Sequence, residues 1–259
     1  MLDMLMAKKA FAEYVKNYDI QNDKIKLKIE HIKRVSQIAK KLAIKLELDK
    51  ENVTLAELIG LLHDIGRFEQ IKRFNTFHDK NSINHGELGV HILFNQKDGI
   101  IRNFVKDTQY DEIIKKAILN HNKDATNIPD DLTTQELLHT KIIRDSDKID
   151  ILYILTYEKK ETSWEKADLS DDIISEEIYK EFMEKGKIDY GKKKSSADSL
   201  VGHFAYIFDF NFPDSIQFIK EKKYMEMIYK RFEFHHQKTM EKYKKIYNKV
   251  EKYMKMLNN

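Results

Sequence analysis

The sequence predicts an all-α fold, and three observations carry that prediction. Only 2 prolines and 8 glycines interrupt 259 residues, too few for the many tight turns of an all-β chain. Apolar residues recur at three- and four-residue steps along several stretches, the period of an amphipathic helix. Hydrophobic residues make up 41% and charged residues 34%, enough apolar material for a core together with the solvated faces of a helix-rich protein.

Taken in order, residues 4–17 read as a short amphipathic helix. Residues 24–46 read as a longer one, with Ile25, Ile29, Ile32, Val35, Ile38, Ala39 and Leu42 along one stripe and His31 on or beside it. Asp49 is placed to cap a third helix through Leu55, Leu58, Ile59, Leu61 and Leu62, which Gly66 then ends. Residues 67–81 mix charges with Phe68, Phe74 and Phe77 and read as a loop with one helical turn. Ser82 caps the next helix, which carries His85, Leu88 and Ile92. Asp111 caps another, whose step of three and four puts His121 on the buried face with Ile114, Ala117 and Ile118. Residues 134–158 read as one or two helices. Polar loops are expected over 159–172 and 186–197. Helices follow near 173–185, 198–209 and 214–258, the last breaking near Phe234–His236. Trp164 reads as a packing anchor.

Composition narrows the function. The net charge is +3 and is spread along the chain, without the concentrated basic stripe of a nucleic-acid binder; no specific nucleic-acid partner is expected. There is no cysteine, so a bound metal must use His, Asp or Glu. That donor set suits iron, manganese, nickel, zinc or magnesium. The longest apolar runs are too short to cross a bilayer, and the start MLDMLMAKKAFAEY has no basic leader. A cytoplasmic protein without a membrane partner is the expectation.

Six candidate ligands stand out: His31, His63, Asp64, His85, His121 and Asp147. The four histidines sit on apolar helical faces or at their ends. An unpaired polar group in a core costs roughly 1–3 kcal/mol, and four imidazoles with a carboxylate are satisfied together by a divalent cation. In LLHDIGRF, the adjacent His63 and Asp64 would diverge by about 100° inside a helix, but at a helix end both can turn to one ion. In RDSDKID, three aspartates lie between apolar helical stretches, and spacing alone leaves Asp145 and Asp147 open.

His31, then His63-Asp64, then Asp147 resembles the HD superfamily of metal-dependent phosphohydrolases over roughly residues 24–157. The family's last ligand precedes Lys or Arg, which implies Asp147. HDIGRFEQ, SINHGELGV and His121-Asn122 are similar to a bacterial branch known only as predicted HD hydrolases. A Glu-Asp pair shortly after the His-Asp and a Gly-Tyr-Pro signature, marks of two better-defined branches, are absent. The resemblance implies an all-α helical bundle with the metal between helices. The chain as a whole reads as a catalytic domain with its N-terminal helix over 1–158 and a C-terminal helical extension over 159–259 packed on it, one compact unit because no linker separates them. His85 and His121 match the extra histidines of dinuclear members. They imply two metals, His31, His63, Asp64 and Asp147 holding the first and His85, His121 and a shared Asp64 the second.

The implied activity is hydrolysis of a small phosphate ester, a nucleotide among the candidates, by attack of a metal-bound hydroxide. Arg67 is the residue expected to grip substrate phosphate, since a guanidinium binds phosphate bidentately; pairing with Glu69 or Asp79 to fix the loop is the competing role. Lys148 could meet an anion or neutralise Asp145, Asp64 could orient the water, and Glu69 and His78 are the general-acid candidates. The same ligand order also fits a di-iron oxygenase, and a non-catalytic nucleotide sensor is the third reading.

Overall fold

The computed structural model describes residues 2–163 and 166–257; Trp164 lies outside the described residues. All regular structure among them is helical, and no helix among them is long and apolar enough to cross a membrane. The chain divides into two compact units, Met1–Asp150 and Ile151–Asn259.

The first unit is built from α1 (Met4–Val15), α2 (Asp23–Lys45), α3 (Lys50–Leu62), α4 (Ile65–Phe74), α5 (His85–Phe94), α6 (Ile101–Phe104), α7 (Asp111–Asn120) and the greater part of α8 (Thr134–Tyr157). The apolar stripe of α2 buries Ile25, Ile32, Val35, Ala39 and Leu42, and α2 packs along α3. Gly60 permits that approach, because a Cβ there would stand 2.7 Å from the Ser36 Cα. Asp49 caps α3 as expected, accepting the Asn52 N–H at 2.8 Å. Helix α1 packs on α3 and α6, and Phe11 meets Phe68 edge-on with ring centroids 5.9 Å apart.

The stretch read as a loop after Gly66 is largely α4. Its charges occupy one side while Ile65, Phe68 and Ile71 are buried on the other, so a helical stripe was present under the aromatic and charged residues. Gly66 does not end α3; it lies in the first turn of α4. A Cβ there would stand 2.2 Å from the His85 carbonyl oxygen and 2.7 Å from the Gly89 nitrogen, so the glycine is required where α4 crosses α5. Asn75, at φ 50°, terminates α4 instead.

Two expected caps also move. The N-cap of α5 is Asn84, not Ser82: its Oδ1 accepts the Gly86 and Glu87 N–H groups at 2.9 and 3.2 Å. Asp111 is the first residue inside α7 and Tyr110 precedes it. Losing an Asn cap costs about 1 kcal/mol. Asn84→Ala is therefore expected to lower the thermal midpoint by about 2–4 °C, read by circular dichroism.

The second unit contains α9 (Lys160–Ser163), α10 (Glu176–Lys185), α11 (Ser196–Ala205), α12 (Pro213–Glu221), α13 (Tyr224–Arg231) and α14 (Gln237–Met256). Helices α10, α11 and α14 pack on one another, and α13 lies on α14, burying Phe182, Leu200, Phe204, Ile246 and Val250. The long C-terminal helix expected over 214–258 is three helices. One break falls at Phe232–His236, as the sequence indicated; the other is at Lys223, whose φ of 56° is left-handed. A lysine gives no composition signal for that conformation, which Gly or Asn usually supplies.

Candidate metal centre

Helix ends and helix faces in the first unit bring the six candidate residues together. His31 projects from the buried face of α2 and is fully buried. His63 closes α3, and Asp64 stands between α3 and α4 with φ −105° and ψ 17°. That break lets neighbouring side chains, which a continuous helix would splay apart, serve one place. His85 opens α5, and His121 closes α7. The buried Arg144 of α8 holds the end of α7 by donating to the Asn120 and Lys123 carbonyls, which satisfies carbonyls a helix end otherwise leaves open. Asp147 comes from α8. Of the two aspartates left open by spacing, Asp147 joins the cluster, whereas Asp145 belongs to none of the metal-capable groups among the described residues.

Three overlapping groups could hold a metal ion: His31, His63 and Asp64; His63, His121 and Asp147; and Asp64, His85 and His121. Asp64 divides its two oxygens between histidine pairs. Its Oδ2 lies 3.4 Å from His31 Nε2 and 3.7 Å from His63 Nε2. Its Oδ1 lies 3.3 Å from His85 Nε2 and 3.8 Å from His121 Nε2. Asp147 Oδ1 is 3.1 Å from His31 Nε2 and 3.7 Å from His63 Nε2.

The donor set fits a cation better than it fits internal hydrogen bonding. Nε2 of His31 and of His63 is buried without a hydrogen-bond partner, although carboxylate oxygens lie within 3.1–3.7 Å. Ligands of one ion aim at the ion rather than at one another, and the distances without alignment have that form. His63 Nδ1 and His121 Nδ1 face the Gly60 and Ile118 carbonyls at 2.8 and 2.6 Å. A carbonyl only accepts, so both Nδ1 atoms carry the proton and both Nε2 atoms present a lone pair. His85 Nδ1 likewise donates to Asp79, leaving its Nε2 lone pair 3.0 Å from that of His121. Two ring nitrogens at that distance need a proton or a metal ion between them, and both rings are built to ligate a metal.

The electrostatics agree. Burial would raise the Asp64 and Asp147 carboxyls, but Lys28 and His63 beside Asp64, and His31 and His63 beside Asp147, hold both well below the usual carboxylate range. Burial pushes His85 down to about 3, with Arg67 adding to the effect. Burial also lowers His63. At His31 burial and Lys28 push down, yet Asp147, Asp150 and Asp64 outweigh them and raise it to about 10. Four carboxylates, Asp64, Asp79, Asp147 and Asp150, thus gather around the imidazoles, with Lys28, Arg34 and Arg67 paired against them.

The other expected site residues are placed differently. Arg67 NH1 donates to Gln70 Oε1, the Phe77 carbonyl and Asp79 Oδ1 at 2.7, 2.6 and 2.9 Å; of its two anticipated roles, the pairing with Asp79 is present. Glu69 pairs with Arg73 at 2.6 Å. Lys148 is only 7% exposed. His78 is exposed on the loop before α5. His139 is buried and its Nε2 lies 3.0 Å from Asn52 Oδ1, a pairing role.

Several residues escaped the sequence reading. Lys28 Nζ is 2.6 Å from Asp64 Oδ2. Asp150 accepts from His31 Nδ1 at 2.7 Å and from Arg34 Nε at 2.6 Å. A signal was available: Lys28, His31 and Arg34 are three apart on α2, and Asp147 and Asp150 three apart on α8, the spacing that puts side chains on one helical face.

Comparison with known families agrees with this geometry. A family model described as HD domain matches residues 29–152. The match covers a little under half of the chain, the part that holds the cluster. No curated protein and no solved structure matched the chain. The matched segment holds His31, His63, Asp64, His85, His121 and Asp147, together with Asp150 and Arg34. That segment therefore contains every residue of the buried cluster except Lys28, one turn upstream of His31.

Proposed function

We propose that the chain is a metal-dependent phosphohydrolase that cleaves a small phosphate ester, a nucleotide among the candidates. The observation that carries this reading is the division of Asp64: one carboxylate oxygen faces His31 and His63, and the other faces His85 and His121. In this reading His31, His63, Asp64 and Asp147 hold one divalent ion, and Asp64, His85 and His121 a second. Such ions would acidify a bound water and neutralise phosphoryl oxygens.

The chain's own residues then have separate tasks. The histidines direct Nε2 inward while Nδ1 is held from behind, by a carbonyl at His63 and His121 and by a carboxylate at His31 and His85, and a bound cation would take each Nε2 in its neutral, unprotonated form. Asp64 ties the two positions together and is placed to orient the attacking water. Lys28 is the cation at the edge of the cluster. Its side chain is 13% exposed, and its ammonium also lies 5.3 Å from the Phe77 ring centroid. At 2.6 Å from Asp64 Oδ2 it is placed to meet a phosphate arriving there, and Arg67 Nε lies 3.5 Å from the other oxygen. Lys28→Met is expected to raise KM for a phosphate ester about tenfold or more, with a smaller effect on kcat; steady-state kinetics on the best ester checks this.

The test of the function is a screen of phosphate esters under anaerobic conditions, using protein loaded in turn with iron, manganese, nickel, zinc and magnesium. Phosphate release that requires one of these metals and disappears with His63→Ala is expected. Oxygen consumption without phosphate release would contradict the proposal and favour the di-iron oxygenase. Tight nucleotide binding without turnover would favour a sensor.

A further inference from the structure

The histidines of the cluster are held from behind in a pattern that repeats. In the first pair, His63 Nδ1 donates to a backbone carbonyl three residues back, and His31 Nδ1 donates to Asp150, which Arg34 grips. In the second pair, His121 Nδ1 donates to a backbone carbonyl three residues back, and His85 Nδ1 donates to Asp79, which Arg67 grips. Each candidate cation position therefore has one imidazole fixed by the main chain and one fixed by a carboxylate–arginine pair.

We propose that Asp79 is the positioning residue of the second cation position, and that Arg67 serves it rather than the substrate. The inference rests on the two-cation reading above. A carboxylate that accepts a ligand histidine's other N–H fixes the ring's tautomer and orientation and makes the ligating nitrogen a better donor; losing such a partner costs 10–100-fold in metal affinity. Asp79 is well fitted to that task. Its Oδ2 is 2.7 Å from His85 Nδ1 and 3.2 Å from Asn122 Nδ2, and its Oδ1 receives Arg67 NH1 at 2.9 Å and Gln70 Nε2 at 2.8 Å. Residues from α4, from the start of α5 and from just beyond α7 thus meet at one carboxylate. HDIGRFEQ supplies Arg67 and Gln70, SINHGELGV supplies His85, and the His121-Asn122 pair supplies Asn122.

The two braces differ in rigidity, and the difference sets an order. Asp150 is fully buried within α8. Asp79 stands in a short 3-10 turn between α4 and α5, with its side chain 28% exposed, and Arg67 and Gln70 hold it there. The second position is therefore the weaker of the two, and its affinity depends on how firmly the 75–84 segment is tied to α4.

The experiment is a titration of the full chain with Mn²⁺ alone, followed by calorimetry and by electron paramagnetic resonance, on wild type, Asp79→Asn and Asp150→Asn. Wild type is expected to bind two ions and to show the signal of a spin-coupled pair. Asp79→Asn is expected to bind the weaker ion 10–100-fold less tightly, to hold the tighter one within about twofold, and to keep an isolated six-line signal at two equivalents, where wild type shows the coupled pair. Asp150→Asn is expected to weaken the tighter ion. Gln70→Leu, which removes a 2.8 Å donor to Asp79 and has no hydrogen bond to Asp64 or His85, gives a smaller loss at the weaker position and keeps the test open if Asp79→Asn fails to fold; Arg67 is left in place because its Nε also lies 3.5 Å from Asp64 Oδ1. Two ions bound by Asp79→Asn with wild-type affinity, or both lost equally, would overturn the assignment of Asp79 alone. A wild-type chain that binds no Mn²⁺ would overturn the two-cation reading with it.

Discussion

Asp64→Asn is expected to remove phosphatase activity by about 10³-fold or more and to leave less than one divalent ion per chain. The substitution keeps the shape of the side chain and changes its charge. Asp64 is fully enclosed, and each of its oxygens faces a different pair of imidazoles. An amide offers one weak acceptor oxygen and turns its NH₂ donors toward one of those pairs, where a lone pair is needed. Each 1.36 kcal/mol lost from transition-state stabilisation is a factor of ten in rate, and a ligand shared by two ions acts on both, so three decades is a modest expectation. Elemental analysis after gel filtration, with kinetics on the same sample, checks both parts. Helix content by circular dichroism should be unchanged, which separates loss of the site from loss of the fold. An Asp64→Asn protein that keeps two ions would remove the basis for calling the carboxylate a shared ligand.

Gly66→Ala is expected to destabilise the first unit by about 3 kcal/mol and to disturb His85. Two effects oppose each other here, and their sizes decide the sign. Alanine is the better helix former by about 1 kcal/mol, so propensity alone would make the variant more stable. The added Cβ, however, would stand 2.2 Å from the His85 carbonyl and 2.7 Å from the Gly89 nitrogen. Both are backbone atoms, so no rotamer change relieves the clash, and α4 must move away from α5. Overpacking costs typically 1–3 kcal/mol, sometimes more, and a clash against backbone belongs at the upper end. A fall in thermal midpoint of about 6–12 °C is expected. Because the displaced carbonyl belongs to His85 itself, the weaker ion should also be lost first. An unchanged or raised midpoint would mean that α4 and α5 do not meet as described.

Gly66 also shows where sequence reasoning reaches its limit. A glycine after an apolar helix reads as a terminator, since close approach between helices distant in sequence leaves no local mark. The helix that follows was hidden for a related reason: Phe68 and Ile71 are its buried side, but Arg67, Glu69, Lys72 and Arg73 around them resemble a charged loop. Helices α2, α3 and α7 were legible because their aliphatic residues repeat at three and four without interruption, and that same periodicity placed His31 and His121 on buried faces. The break at Lys223 was not legible, because it rests on a left-handed lysine rather than on Gly or Pro.

The site divides in the same way. Of the 10 histidines, those on apolar stripes draw notice because a buried imidazole needs a partner, and the six candidates do lie together. The residues behind them do not stand out, because Lys28, Arg34, Asp79 and Asp150 are chemically ordinary among so many charges. Lys28, Arg34 and Asp150 could be found by asking which charges share a helical face with His31 or Asp147. Asp79 was legible as a partner for Arg67, but its reach across a turn to His85, and the second donor from Gln70, show only in the folded chain.

In the proposed function one buried carboxylate, Asp64, joins two cation positions built from four histidines and Asp147. Crystals grown with Mn²⁺ and measured at the manganese absorption edge test it most directly. Two anomalous peaks are expected, one beside His31, His63 and Asp147, the other beside His85 and His121, each within bonding distance of a different Asp64 oxygen. A cluster without anomalous density, or a single ion that leaves His85 and His121 bonded only to each other and to protein, would contradict it.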